Sequence, residues 1–313
     1  MNILFYGYAE TASEWTAWLA RLLPHARISV WEPDNMSAAD YLVVRNPPPA
    51  MLASRAGLKA VFNLGAGVDA LLRLRAEHHC PALDEALVIR LEDAGMGVQM
   101  ADYVSHAILH FQRRFHEYER QQRAAVWRPL RVTPKPAFPV GVMGAGVLGA
   151  EVAAGLCRLG FPVRVWSRSP KAIAGCTSFA GTEQLPAFAQ DLKALVNLLP
   201  LTAATRGILN ADLFDRLADG AFLVNVARGA HLVDDDLLAA IRRGKIDAAR
   251  LDVFNVEPLP AGHPFWHEPA IYLTPHVSAE NDMEQSLGQI ADRIRALENG
   301  QPVTGVVNWH DEY

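Results

Sequence analysis

Short apolar runs alternate with stretches of helical period through the first third of the chain. Asn2 to Tyr6 is one such run, and Ile28 to Trp31 and Tyr41 to Val44 are two more. Between the first two, Trp15, Trp18, Leu19, Leu22 and Leu23 recur at the spacing of one helix face. Strands that alternate with helices form a parallel sheet covered by them, so the spacing predicts an α/β architecture. Leu58 to Leu64 and Val88 to Leu91 add two more strands. Val104, Ile108, Phe111, Phe115 and Tyr118 then predict one long helix, whose other face carries Arg113, Arg114, Glu117, Glu119, Arg120 and Arg123. That charged face is either solvated or meets a second subunit. Pro129, Pro134, Pro136 and Pro139 mark a linker.

The alternation resumes after the linker. Val140 to Met143 predicts a buried strand, and Leu148, Val152, Leu156 and Leu159 keep helical spacing up to a stop at Gly160. Phe161 to Trp166, Ala194 to Leu199, Ala221 to Val226 and Ala248 to Phe254 are further strands, with a helix at Leu237 to Arg243, and the sheet runs to about Thr274. Leu287, Ile290, Ala291, Ile294 and Leu297 place a last helix that stops at Asn299-Gly300. Having no sheet of its own to follow, this helix is expected to return to the first domain. The expected fold is two doubly wound parallel-sheet domains. Residues 99–278 form a Rossmann domain, inserted into a flavodoxin-like domain made of residues 1–98 and 279–313.

Between the strand at Val140 and its helix stands Gly144-Ala-Gly-Val-Leu-Gly149. Gly144 permits a tight turn, Gly146 lets a pyrophosphate approach the backbone, and Gly149 lets the helix pack on the strand. The helix N-terminus favours an anion there. This turn therefore predicts a dinucleotide site. A second glycine-rich turn, Gly65-Ala-Gly-Val-Asp69, lacks the third glycine. It is either a small-anion site, suited to a carboxylate, or a plain strand-to-helix turn.

Composition narrows the class. At 313 residues the chain fits two domains of the usual size of about 100 to 200 residues, and 50% apolar with 20% charged residues suits a sizeable core. With 29 basic against 34 acidic residues and no basic stripe, nucleic acid is not an expected partner. No signal-peptide pattern or membrane-spanning run stands out, which predicts a cytoplasmic protein without a membrane partner. Cys80, Cys157 and Cys176 lack C-x-x-C spacing, so neither a disulfide framework nor a metal site is expected.

Three polar residues stand after predicted strands of the second domain, where open α/β sheets place ligands: Arg228, Glu257 and His276. An arginine grips a carboxylate and polarises a neighbouring carbonyl, a histidine moves a proton near neutral pH, and a carboxylate beside it holds its tautomer. With a nicotinamide alongside, the set suits hydride transfer to a 2-oxo acid.

The chain resembles the D-isomer-specific 2-hydroxyacid dehydrogenases. Five segments appear in that family's order: Val142 to Gly149, Asn197-Leu-Leu-Pro-Leu-Thr202, Asn225-Val-Ala-Arg-Gly229, Leu251-Asp-Val-Phe-Asn-Val-Glu-Pro258 and Thr274-Pro-His-Val277. Asn63 to Asp69, Leu91-Glu-Asp-Ala-Gly-Met-Gly97 and Ser178-Phe-Ala-Gly181 are similar to its glyoxylate/hydroxypyruvate reductase A branch. The resemblance implies that Arg228 binds the substrate carboxylate and carbonyl, that His276 is the acid/base and that Glu257 is its partner. It implies that Ala66 and Gly67 offer N–H groups to the carboxylate, in a cleft between domains that close over it. Cofactor contacts are expected at Gly144, Gly146, Val147, Leu148, Gly149, Ser167, Arg168, Lys171, Leu199, Pro200, Val226, Ala227 and Asp252. A homodimer joined through the cofactor domain is also implied.

Cofactor choice is written after the second strand of the Rossmann unit. Versions that bind NAD carry an acidic residue about 20 residues beyond the turn, whereas here Ser167-Arg-Ser-Pro-Lys171 follows with no acid between Phe161 and Thr182. NADPH is the expected cofactor, with NADH as a possible second. Two departures from the branch bear on substrate range. Arg45 stands where an aromatic residue is expected, and Glu280 and Asp282 follow His276. Arg45 would attract a more acidic 2-oxo acid and the two carboxylates would repel one, unless all three are solvated loop charges. The expected activity is NADPH-dependent reduction of glyoxylate, hydroxypyruvate or a similar 2-oxo acid. Its rivals are a nicotinamide-sensing protein on the same fold and a family dehydrogenase for another substrate; Glu257 argues against formate, whose branch has an amide there.

Overall fold

The computed structural model describes residues 1–33 and 35–312 and divides into two compact units: Met1–Gly95 with the chain from Asn281 onward, and Met96–Glu280. In the first unit the strands β1 (Asn2–Tyr6), β2 (Arg27–Val30), β3 (Tyr41–Val44), β4 (Ala60–Asn63) and β5 (Leu87–Arg90) form a parallel sheet in the order β2-β1-β3-β4-β5. That is the flavodoxin-like order. Every residue of β3 and β4 is buried, as central parallel strands covered on both faces require. Helix α1 (Ala12–Leu22) turns Trp15 and Leu19 inward and packs against the last helix, Met283–Glu298, which buries Leu287, Ile290, Ala291 and Ile294. The last helix thus returns to the first unit. Helices α2 (Asp69–Glu77) and α3 (Ala82–Glu85) complete the cover.

In the second unit, strands β6 (Val140–Met143), β7 (Val163–Ser167), β8 (Cys176–Ala180), β9 (Ala194–Asn197), β10 (Ala221–Asn225), β11 (Ile246–Leu251) and β12 (Ile271–Leu273) form a parallel sheet in the order β12-β11-β10-β9-β6-β7-β8. Alternate residues point to opposite faces of a strand. Val140, Val142, Val196 and Val224 accordingly enter one core with α4 (Met96–Gln112), α5 (Phe115–Arg123) and α6 (Val147–Arg158) on their side of the sheet. Met143, Leu195 and Leu223 enter another, with α7 (Leu185–Ala189), α8 (Ala211–Phe214) and α9 (Asp234–Arg242). β8 is not among the strands expected from the apolar pattern, because it is an edge strand of mixed polarity, with Thr177 and Ser178 exposed.

The single long helix expected through Tyr118 is two helices. Arg114 adopts a left-handed conformation, φ 62°, and separates α4 from α5. The guanidinium of Arg114 forks onto both carboxylate oxygens of Glu117, which helps hold the break in place. Past the break the apolar stripe loses its register. Phe115 is 49% exposed, and His116 takes the buried position with Nε2 3.0 Å from Asp247 Oδ2.

Candidate active site

The turn from β6 into α6 requires glycine at two of its three glycine positions. Gly144 has φ +99°, and a Cβ there would lie 2.6 Å from the Leu198 carbonyl oxygen; a Cβ on Gly149 would lie 1.8 Å from the Gly144 carbonyl oxygen. Gly146 differs, because a Cβ there would meet nothing within 4 Å. The first and third glycines are fixed by packing, while the second faces open space at the start of α6. Val147, the first residue of that helix, is exposed, and Leu148 is half-buried. An anion reaching this turn meets backbone N–H groups and the positive end of the helix, so the residues present fit a dinucleotide pyrophosphate.

At the end of β7, Ser167 is buried and its hydroxyl donates to the Ser169 carbonyl oxygen at 2.8 Å. The serine therefore shapes the turn, and must rotate before it can donate to a phosphate. Arg168 and Lys171 are exposed on the same turn, where the Lys171 N–H donates to Ser178 Oγ at 3.3 Å.

Two buried asparagines, Asn197 and Asn225, tie together the loops after β9 and β10. Asn197 Nδ2 donates to Asn225 Oδ1 at 3.0 Å, and the same two side chains accept the N–H groups of Leu199 and Ala227. Asn225 Nδ2 donates to the Arg228 carbonyl oxygen at 3.1 Å. Leu199, Val226 and Ala227 are buried by this arrangement, while Pro200 is exposed and its carbonyl accepts from Thr205 Oγ1 at 2.7 Å. In the sequence both asparagines stand only as the first residues of their motifs. Their burial as a hydrogen-bonded pair is what gives them a role.

Arg228 is half-buried, with Nη1 donating to the Ala227 carbonyl oxygen at 2.7 Å. A Cβ on the following Gly229 would lie 1.9 Å from the Phe254 carbonyl carbon, so this turn is pressed onto the loop after β11. In that loop the Phe254 N–H donates to Glu257 Oε1 at 2.9 Å, and Glu257 Oε2 lies 2.8 Å from His276 Nδ1. Contacts thus run unbroken from the arginine turn through the glutamate to the histidine.

His276 sits at φ 58°, an uncommon left-handed conformation for a residue other than glycine. Asp252 holds the turn around it. The aspartate is wholly buried; its Oδ1 accepts from Thr274 Oγ1 at 2.6 Å and the Val277 N–H at 2.9 Å, and its Oδ2 accepts from the Ser278 N–H at 2.9 Å. The His276 N–H donates to the Asp252 carbonyl oxygen at 2.8 Å, and Tyr103 OH meets Thr274 Oγ1 from α4. Asp252 is among the residues expected to contact the cofactor, and its carboxylate anchors the histidine turn.

In the first unit, Arg45 is exposed beyond β3 and is held by a small polar cluster. Its Nη1 donates to Tyr8 OH at 2.8 Å and to the Leu64 carbonyl oxygen at 3.3 Å, and its guanidinium lies 4.7 Å from the Tyr8 ring centre. Tyr8 stacks on Trp15 at 4.3 Å, and Asn281 Nδ2 donates to the same hydroxyl and carbonyl. The held arginine therefore stands beside the Gly65 turn. Asn63 Nδ2 donates to the carbonyls of Gly65 and Gly67, pointing these oxygens back into the turn that carries Ala66 and Gly67. Of the two acidic departures, Asp282 is spent capping the last helix, accepting from the Gln285 N–H at 2.8 Å. Glu280 is exposed, with its N–H donating to Gln99 Oε1.

A family model for the NAD-binding domain of D-isomer specific 2-hydroxyacid dehydrogenases matches residues 105–278. The chain belongs to that family. It is 49% identical to a glyoxylate/hydroxypyruvate reductase A of Serratia proteamaculans, over 98% of each chain. Among solved structures, it is similar to a family member from Xanthobacter autotrophicus Py2 in complex with NADPH and MES, with TM-score 0.93, 36% identity and coverage of 100% of this chain and 99% of that one. It is also similar to an NADPH-dependent glyoxylate/hydroxypyruvate reductase of Sinorhizobium meliloti in complex with NADP and sulfate, with TM-score 0.90, 32% identity and coverage of 100% and 99%.

Proposed function

We propose that this chain reduces a small 2-oxo acid, glyoxylate or hydroxypyruvate, to the 2-hydroxy acid with NADPH. The observation that carries the reading is the Glu257–His276 pair, 2.8 Å apart on a turn clamped by Asp252. With Nδ1–H directed to the carboxylate, the Nε2–H of a protonated His276 donates to the carbonyl oxygen as it gains charge. Arg228 grips the substrate carboxylate and polarises the carbonyl. Bound NADPH supplies the hydride to the carbonyl carbon. The open face of Gly146 would admit its pyrophosphate, and Arg168 and Lys171 would meet its 2'-phosphate. Mixing the protein, NADPH and each 2-oxo acid while following cofactor absorbance tests this directly. Binding of NADPH with no turnover of any 2-oxo acid would favour the sensing alternative.

Arg45 bears on substrate range through its fixed position beside the Gly65 turn. Replacing it in Arg45→Trp is expected to lower kcat/KM for oxaloacetate relative to glyoxylate, because the wild-type guanidinium meets a second carboxylate. An unchanged ratio returns Arg45 to a purely structural charge.

We also infer a homodimer in which the segment after α5 is covered. Trp127 is 99% exposed and Val126 48%, an apolar pair that water is a poor home for. Trp127→Glu is expected to shift the protein from dimer to monomer in light scattering at micromolar concentration; an unchanged mass would place the interface elsewhere. No helix among the described residues is long and apolar enough to cross a membrane. The three cysteines are all free thiols, which suits a reducing compartment, and we infer the cytoplasm.

A further inference from the structure

Cys157 and Cys176 are 19 residues apart in sequence, yet their sulfurs lie 3.4 Å from one another. Cys157 stands in the last turn of α6, and Cys176 opens β8, the edge strand of the sheet. Both are only partly buried, so a small oxidant reaches them, whereas Cys80 is 3% exposed in the other unit. Gly175, at φ +79°, is exposed just before Cys176, at the end of the crossover that follows Ser167. Closing the sulfurs to a bond of about 2.05 Å needs a shift of little more than an ångström, which rotation of the two side chains supplies.

We propose that Cys157 and Cys176 are a redox-active dithiol that a peroxide converts reversibly into an intramolecular disulfide, stapling α6 to β8. In the first step the Cys157 thiolate attacks one peroxide oxygen, the O–O bond breaks, and a sulfenic acid forms while hydroxide leaves and is protonated to water. In the second, the Cys176 sulfur attacks the sulfenic sulfur, the S–O bond breaks, the S–S bond forms and a second water leaves. Two thiols are oxidised by two electrons and one peroxide is reduced to two waters. The order follows from the surroundings. Burial, with the hydrogen bond and charge of Cys157 adding to it, pushes the Cys176 thiol up to about 12, which suits the resolving rather than the attacking sulfur.

The site's consequence is local. Cys176 pairs with Val163 at the start of β7, while Arg168 follows its end, so the staple would fasten the far anchor of the crossover that carries Arg168 and Lys171. Oxidation is therefore expected to raise the melting temperature of this unit, by roughly 5 to 10 °C for a disulfide of ordinary strength in a domain of this size.

The test treats the full-length protein with hydrogen peroxide and then counts thiols, measures intact mass and maps peptides. The expected result is loss of two of the three titratable thiols, a mass lower by two hydrogens, and one cross-linked peptide holding Cys157 and Cys176. Dithiothreitol should reverse all three changes, and Cys176→Ser should abolish both the cross-link and the rise in melting temperature. Wild-type protein that keeps its thiols, or that gains the mass of two oxygens on one cysteine with no cross-linked peptide, would overturn the proposal.

Discussion

His276→Ala is expected to bind NADPH normally while its kcat for glyoxylate falls by about 10² to 10⁴, the usual contribution of a positioned general acid. The side chain is 45% exposed and hydrogen-bonds to Glu257, so its removal leaves no core cavity to confuse the result. Circular dichroism and cofactor titration should be unchanged. Near-normal kcat would sink the assignment. Arg228→Ala should behave differently, raising KM and lowering kcat together, because the carboxylate contacts proposed for it would serve both the bound substrate and the transition state. Asp252→Asn gives a third signature. Its carboxylate accepts from three donors, where an amide presents only one acceptor oxygen. Turnover should drop with the turn's order, although both His276 and Glu257 remain.

Most of what positions these residues is visible in the sequence, because the period of apolar residues and the glycine turns are local properties. The strands β3 and β6 are uninterrupted apolar runs, and β4 and β9 are apolar up to a closing asparagine, as burial on both faces demands. What stays hidden depends on long-range partners. The break at Arg114 cannot be read from its neighbours alone, since the His116 that follows it is matched to Asp247, more than a hundred residues away. β8 carries too few apolar residues to be seen and exists because β7 offers it an edge. In the site, Arg228, Glu257 and His276 stand out by chemistry and by their places after strands. Asp252, Asn197 and Asn225 do not, because a buried polar side chain is recognised by what it bonds to rather than by where it falls in a motif. A signal for them did exist. A polar residue ending an apolar strand run must find partners if it is buried, and each of these three ends or directly follows a buried strand.

The Rossmann crossover leads to the second large effect. Wild-type protein should show higher kcat/KM with NADPH than with NADH, and Arg168→Ala should lose roughly tenfold to a hundredfold of that selectivity. A hydrogen bond to a charged group is worth about 1.5 to 3 kcal/mol, and each 1.4 kcal/mol is a factor of ten. An adenosine ribose is read in this fold at the turn after β7. No carboxylate follows β7 there; Arg168 and Lys171 are exposed on the turn, and Ser167 is engaged with Ser169. Arginine offers a planar fork that matches phosphate oxygens, while Lys171 adds a more mobile charge, so the larger loss belongs to Arg168. Because Ser167 already donates within the turn, Ser167→Ala should cost less selectivity than Arg168→Ala and should act through the shape of the turn on both cofactors. Steady-state kinetics with NADPH and NADH separate these cases. The expected pattern is a large rise in KM for NADPH and little change for NADH in Arg168→Ala. A wild type that prefers NADH, or a variant that loses both cofactors equally, would show that the arginine does not read the 2'-phosphate.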